Sequence, residues 1–226
     1  MTLSLAGRTA RPLPQEGAVR SGGFGGAQGL AEWLRAHGVA LVIDATHPFA
    51  ARISANAEEA ALLAGIPLVA LERPAWEPVA GDHWIAAKDV GEAAALIGRR
   101  PRTVFLAIGR QELAPFRGLT QHRFVVRSVD AVAPGEGPAG ATYIEARGPF
   151  GEAAERDLLA AHGIDIAVAK NSGGDATYGK IAAARSLGIP VVMIERPRGR
   201  PAFAVSGVDE AFRSAAHLLA LAKRGE

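Results

Sequence analysis

The sequence predicts an α/β protein of two related Rossmann-like halves, each a parallel sheet with flanking helices, with a cleft between them. Two observations carry this reading. Short apolar, β-rich runs alternate with amphipathic helical stretches along the whole chain. The chain also repeats itself: Leu34-Arg35-Ala36-His37-Gly38 returns as Leu159-Ala160-Ala161-His162-Gly163. Downstream, Gly65-Ile66-Pro67 and its continuation to Glu72-Arg73-Pro74 return, at nearly the same spacing, as Gly188-Ile189-Pro190 and its continuation to Glu195-Arg196-Pro197. Gly23-Phe24-Gly25 ahead of one alanine-rich helix matches Pro149-Phe150-Gly151 ahead of another.

Taken in order, Thr2 to Ala6 reads as a strand, and the glycine-rich run after it leads into a helix over Leu30 to Ala36. Ala40 to Asp44 is a buried strand, Ile53 to Ala64 a helix closed by Gly65, Leu68 to Leu71 the next strand and Val90 to Ile97 a helix. Gly98 to Arg102, where Gly, Arg and Pro interrupt the pattern, is the expected hinge, dividing the chain into 1–98 and 102–226. The second half reads as strands Thr103 to Ile108 and Arg123 to Val129, a surface loop over Ala133 to Gly140, and strand Ile164 to Ala169. Helix Ala176 to Leu187 closed by Gly188, strand Val191 to Ile194 and helix Val208 to Ala222 complete it. The repeat exposes a gap: Thr2 to Ala6 corresponds to the second strand of the second half, and nothing corresponds to Thr103 to Ile108. An opening strand is central in doubly wound sheets, so the expectation is a truncated or late-started chain with an unpaired apolar seam.

With 226 residues, 49% of them hydrophobic, the chain can fill one large core or two small ones. No window approaches the ~18 consecutive apolar residues of a membrane span, and no basic-then-apolar leader opens the chain, so a cytoplasmic protein without a membrane partner is expected. The absence of cysteine excludes disulfides, thiolate metal sites and a cysteine nucleophile, and the six histidines are scattered, so no metal is expected. The net charge is +2, and Lys88, Lys170, Lys180 and Lys223 are the only lysines beside many arginines. Arginine grips carboxylates and phosphates bidentately, but the same bias accompanies the Ala and Gly of a GC-rich genome. The basic residues form no block interleaved with aromatics, which argues against nucleic acid.

Ligands of open parallel sheets bind beyond the carboxyl ends of the strands, so the loops there are the candidate sites. Ala6-Gly7-Arg8-Thr9 stands where dinucleotide folds meet the adenosine ribose, and its arginine and hydroxyl suit a 2′-phosphate; a solvated turn is the alternative. Gly22-Gly23-Phe24-Gly25-Gly26 precedes a helix and either offers N–H groups to phosphate or simply turns. Asp44-Ala45-Thr46-His47-Pro48-Phe49 ends a buried strand in a polar cluster that continues through Arg52, Ser54 and Asn56. His47 there is a candidate proton donor and Asp44 a loop orienter, unless Thr46 only caps the helix and His47 only packs on Phe49. Lys170-Asn171-Ser172-Gly173-Gly174-Asp175-Ala176-Thr177 and the segment to Lys180 occupy the matching place in the second half. They make either an anion cradle or a capping loop, without the Walker pattern of an ATP site.

Asp44-Ala45-Thr46-His47-Pro48-Phe49-Ala50 with Ile53-Ser54-Ala55-Asn56-Ala57, and Lys170-Asn171-Ser172-Gly173-Gly174 with Thr177 and Lys180, resemble the paired signatures of precorrin-6A reductases. Ser4-Leu5-Ala6-Gly7-Arg8-Thr9 and the two Glu-Arg-Pro strands are similar to the same family, and the resemblance covers essentially the whole chain. It implies an NADPH-dependent oxidoreductase that converts the precorrin-6A macrocycle to precorrin-6B in cobalamin biosynthesis. By resemblance, residues 1–98 hold the nicotinamide nucleotide through Ser4, Gly7, Arg8, Thr9, Gly23 and Phe24, with Thr46, His47 and Pro48 near the reacting ring. His47 is the candidate catalytic proton donor. Residues 102–226 form the substrate side. Arg52, Ser54, Arg110, Lys170, Asn171, Ser172, Gly173, Gly174 and Thr177 would hold the anionic tetrapyrrole. Family members open with an apolar strand and a Gly-Gly-Thr type loop, which this sequence lacks. A monomer is expected. The cobalt-containing macrocycle of the anaerobic route, a non-enzymatic two-lobed binding protein and a nucleotide-sugar transferase are the alternatives.

Overall fold

The computed structural model describes residues 1–7, 9, 12–197 and 204–222. In chain order its elements are β1 (Thr2–Leu5), β2 (Ala18–Ser21), α1 (Ala27–Ala36), β3 (Val42–Asp44), α2 (Ala51–Ala64), β4 (Leu68–Leu71), β5 (Trp84–Ala87), α3 (Val90–Leu96), β6 (Thr103–Ala107), β7 (Arg123–Ser128), β8 (Thr142–Glu145), α4 (Glu152–Ala161), β9 (Ile166–Lys170), α5 (Gly179–Ser186), β10 (Val191–Ile194), β11 (Ala204–Val205) and α6 (Val208–Ala222). They form two compact units, one of Met1–Pro74 with Pro197–Glu226 and one of Ala75–Arg196.

The Ala75–Arg196 unit is built on a six-stranded sheet in the order β5-β10-β9-β6-β7-β8, with every pairing parallel. Its central strands are buried on both faces, which explains why Val104-Phe105-Leu106 and Ile166-Ala167-Val168-Ala169 read as continuous apolar runs. Phe105, Val125, Leu159, Ile181 and Met193 share one core, and each fully buried large side chain stabilises by about 1.5–3 kcal/mol relative to exposure. Asp89 caps α3: its carboxylate accepts from Glu92 N–H at 2.8 Å, while the Glu92 carboxylate reaches back past the cap to accept from Lys88 N–H at 2.7 Å.

The other unit carries two smaller parallel sheets, β1-β2 and β11-β4-β3. Helix α1 buries Ala27, Ala31 and Leu34, spaced along one face, against Ala60 of α2. Helix α2 ends at Gly65 with φ +72°, a left-handed cap that lets Ile66 N–H reach Ala61 C=O. Helix α6 lays Ala211 and Leu218 against Val69 and Val205. The two units repeat one pattern, with β1, β2, β3 and β4 standing for β7, β8, β9 and β10. The strand β6 joins β7 to β9, whereas among the described residues no strand joins β1 to β3, and Ile43 of β3 stays 44% exposed.

The units cut the chain differently from the expected 1–98 and 102–226. Strand β5 pairs with β10, and α3 packs on both, so residues 75–98 belong with the later strands. Conversely β11 pairs with β4 and α6 packs there, so the last helix completes the earlier unit. Each exchanged strand satisfies its backbone on a partner far away in sequence. The expected surface loop over 133–140 is mostly exposed but buries Gly137 and Pro138, whose carbonyl accepts from Tyr143 Oη at 3.0 Å. Among the described residues no helix is long and apolar enough to cross a membrane.

Candidate functional site

Polar loops follow the carboxyl ends of the strands in both units, and each is held by contacts specific to it. After β1, Gly7 takes φ +73°, and a Cβ there would stand 3.2 Å from Ser21 Oγ. Thr9 is exposed, and Arg8 lies outside the described residues. The loop after β2 is tied to β1 by Gly22 N–H donating to Leu5 C=O at 2.9 Å. Its organiser is Arg20, which sequence reasoning missed. The guanidinium donates to the carbonyls of Gly22 and Gly23, 2.6 Å each, and to Ser4 Oγ at 3.4 Å, and lies 3.5 Å over the Phe24 ring. Ser4, Gly23 and Phe24 are therefore brought together around one arginine. A Cβ at Gly22, Gly23, Gly25 or Gly26 would meet nothing within 4 Å, so this backbone faces open space. A cofactor phosphate or ribose fits such a surface. Gly29, in the first turn of α1, is required for a different reason: a Cβ there would collide with the Phe24 carbonyl oxygen.

The loop after β3 is a compact hydrogen-bonded turn. Buried Asp44 accepts from Thr46 N–H at 3.0 Å, as expected of a loop orienter. Thr46 does not cap α2, whose N-cap is Ala50 without a side-chain bond; its hydroxyl instead shares a 3.0 Å hydrogen bond with Ser54. His47 is exposed, its Nδ1 accepts from Phe49 N–H at 3.3 Å, and its ring lies 5.7 Å from that of Phe49. With Nδ1 accepting, the neutral ring carries its proton on Nε2. Pro48 follows in the turn, and Arg52 is exposed on the first turn of α2.

In the Ala75–Arg196 unit, Lys170 ends β9 and forms an ion pair with Glu112, on the turn after β6. Arg110 on that turn donates to Ala131 C=O at 3.1 Å and stands 3.9 Å from Asp130. Beyond Lys170 the chain folds over Trp76. Asn171 Oδ1 accepts from Trp76 N–H at 2.8 Å, Asn171 Nδ2 donates to Trp76 C=O at 2.9 Å, and Trp76 Nε1 donates to Gly174 C=O at 2.9 Å. Both ends of the Asn171 amide are therefore engaged in shaping the loop. Arg196 Nε reaches Asn171 C=O at 2.9 Å, Ser172 is buried, and Gly173 and Gly174 take φ +65° and +73°, which favour glycine. Trp76 carries no motif of its own, and Arg196, though part of the repeated Glu-Arg-Pro segment, shows its role on this loop only through these bonds.

Beneath this loop lies a charged cluster that the sequence did not reveal. Arg127 of β7 and Glu155 of α4 are 7% and 2% exposed and paired through two hydrogen bonds, one of 2.9 Å. The Arg127 guanidinium is 3.8 Å from the Phe150 ring centroid and 5.1 Å from that of Phe105. Lys180, on the first turn of α5, donates from Nζ to Thr177 C=O at 2.6 Å and stands 4.9 Å from the Trp76 ring centroid. Burial, with help from Arg127 and against Glu155, lowers its pKa to about 7. Gly179 lets α5 start against the Phe150 backbone, because a Cβ there would overlap the Phe150 carbonyl oxygen. Of the expected substrate residues, Arg52 and Ser54 belong to one unit, while Arg110, Lys170 to Gly174 and Thr177 belong to the other.

Comparison with known proteins adds to this geometry. The family model described as precorrin-6x reductase CbiJ/CobK matches residues 1–220. A precorrin-6A reductase of Sinorhizobium sp is 54% identical over 218 residues, 96% of this chain and 84% of the relative. One of Rhodococcus erythropolis is 50% identical over 199 residues, 88% of this chain and 80% of the relative. A solved structure, CobK precorrin-6A reductase, matches with a TM-score of 0.92 at 41% identity, over 96% of this chain and 86% of that one. A family model spanning nearly the whole chain, relatives at half identity and a matching fold together establish that this chain belongs to the precorrin-6x reductase CbiJ/CobK family.

Proposed function

We propose that this chain uses NADPH to reduce one double bond of the precorrin-6A macrocycle, giving precorrin-6B in cobalamin biosynthesis, as a cytoplasmic monomer. Family membership supports the reaction class, and the relatives at half identity bear the cobalt-free name. The observation that carries the division of labour is internal. Equivalent strands β3 and β9 end in the two densest polar loops of their units, Asp44 to Phe49 and Lys170 to Thr177.

In this reading Ser4, Gly7, Arg8, Thr9, Gly23 and Phe24 hold the nucleotide, with Arg8 on the 2′-phosphate and Arg20 keeping the glycine loop in shape. NADPH, when bound, supplies the hydride. Thr46, His47 and Pro48 border the nicotinamide and the reacting carbons. His47, protonated to the imidazolium when substrate is bound, supplies the proton that accompanies hydride addition and is left neutral, hydride and proton going one to each carbon of the double bond. Arg52, Ser54, Arg110, Lys170, Asn171, Ser172, Gly173, Gly174 and Thr177 receive the macrocycle and its peripheral carboxylates. The protein contributes positioning and charge complementarity, and the cofactor contributes the redox chemistry.

The test is NADPH consumption, followed by absorbance, on adding precorrin-6A, with mass analysis of the product. A two-hydrogen gain matched to NADPH consumed is expected, with NADH much poorer. No consumption by folded protein saturated with both ligands would refute the assignment.

A further inference from the structure

The Lys180 amine has no part in the reduction described above, yet it touches the substrate loop from below. It bonds Thr177 C=O directly. It also faces the ring of Trp76, the residue that closes the loop through Asn171 and Gly174. Lys180 is only 6% exposed, so it reaches the loop and not the solvent.

We propose that Lys180 is a positioning residue for the 170–177 loop and takes up a proton when a polycarboxylate macrocycle binds there, an inference that rests on the substrate reading above. The charges around the amine are arranged for this. From β7 comes Arg127 and from α4 Glu155, and these two neutralise one another. On α5 itself Arg185 is engaged by Tyr178 Oη at 3.0 Å and by Asp82 at 3.3 Å, and Asp175 on the loop is exposed. Among the described residues no carboxylate pairs with the Lys180 amine; burial first, then Arg127, lowers its pKa to about 7, and Glu155, already engaged by Arg127, offsets this only in part.

Carboxylates arriving above the loop supply the missing negative charge. The ammonium then holds Thr177 C=O by a charge-assisted bond and is drawn to the Trp76 face more strongly than the neutral amine. By linkage, ligand binding and proton binding favour each other. The macrocycle's carboxyl groups, with ordinary pKa values of about 4–5, are ionised throughout the window where Lys180 titrates and contribute no protons there.

The experiment is calorimetric titration of the whole chain with precorrin-6A, without nicotinamide so that nothing turns over, in HEPES and in Tris at pH 7 and pH 8. From a free pKa of about 7, wild type takes up about half a proton per macrocycle at pH 7 and about nine tenths at pH 8, and its affinity falls about fivefold between them. Lys180→Met keeps the length and shape of the side chain, takes up no proton in this range and binds with a flat pH dependence. In turnover it raises KM with little change in kcat. Macrocycle binding by wild type without growing proton uptake, or equal uptake by Lys180→Met, overturns the inference while leaving the substrate reading intact. No binding at either pH overturns the substrate reading and this inference with it.

Discussion

Replacing Glu155 by alanine removes, among the described residues, the one partner of the buried Arg127 guanidinium in its two charge-assisted hydrogen bonds. Arg127 cannot swing out to water. It is 7% exposed, its faces are covered by Phe105 and Phe150, and Lys180, which acts on it electrostatically, is a base that offers it no negative charge in either protonation state. Stranding one member of such a pair costs about 3–5 kcal/mol, a large share of the roughly 5–15 kcal/mol that holds a domain together. Urea unfolding, read by circular dichroism, should show the midpoint falling by about 1.5–2.5 M for a slope near 2 kcal/mol/M. The paired change Arg127→Met with Glu155→Leu, which removes both charges and keeps apolar volume, should recover most of that loss. A loss below about 1 kcal/mol for Glu155→Ala would mean the guanidinium finds water or another acceptor, and the account of this cluster would be wrong.

Four further outcomes follow from the geometry. The native state holds Lys180 with a lowered pKa near 7, so between pH 7 and 9 the unfolded chain binds more protons there and stability should rise with pH; Lys180→Met should flatten that rise, and an unchanged slope would remove Lys180 as its source. Gly29→Ala, by driving a methyl group into the Phe24 carbonyl, should cost about 1–3 kcal/mol in thermal unfolding and loosen NADPH binding, whereas a neutral result would show that the 22–26 loop adapts freely. Arg8→Ala should weaken NADPH far more than NADH in equilibrium binding, and equal losses would take the 2′-phosphate away from Arg8. His47→Ala should slow turnover while leaving NADPH affinity nearly unchanged; a kcat equal to wild type would return His47 to packing on Phe49.

The fold was legible wherever burial imposes a pattern. Leu68–Leu71 and Val191–Ile194 emerge at the expected residues, because strands covered on both faces must be apolar throughout and the repeat marks their ends. The edge strands Ala18–Ser21 and Thr142–Glu145 went unread because they are largely exposed and carry no alternation. The helix expected from Ala176 starts at Gly179, since residues 175–177 form a tighter turn that lays Thr177 C=O against Lys180. In the candidate site the motif residues themselves were legible and their partners were not. Asp44 and Asn171 announced themselves by type and place, but Arg20, Trp76 and Arg127 act through contacts set by the tertiary fold. Lys180 belonged to a recognised signature, yet only its burial separates it from an ordinary helix lysine.

The reciprocal pairing of β5 with β10 and of β11 with β4 has a consequence for how the protein comes into being. Residues 75–196 are an uninterrupted stretch that can close its sheet as soon as it leaves the ribosome. The first 74 residues must wait, because β4 lacks both its outer neighbour β11 and the cover of α6 until residues 204–222 have been synthesised. The half begun first is thus finished last, and during that interval Val69 and Leu71 are the surfaces that a chaperone would have to shield.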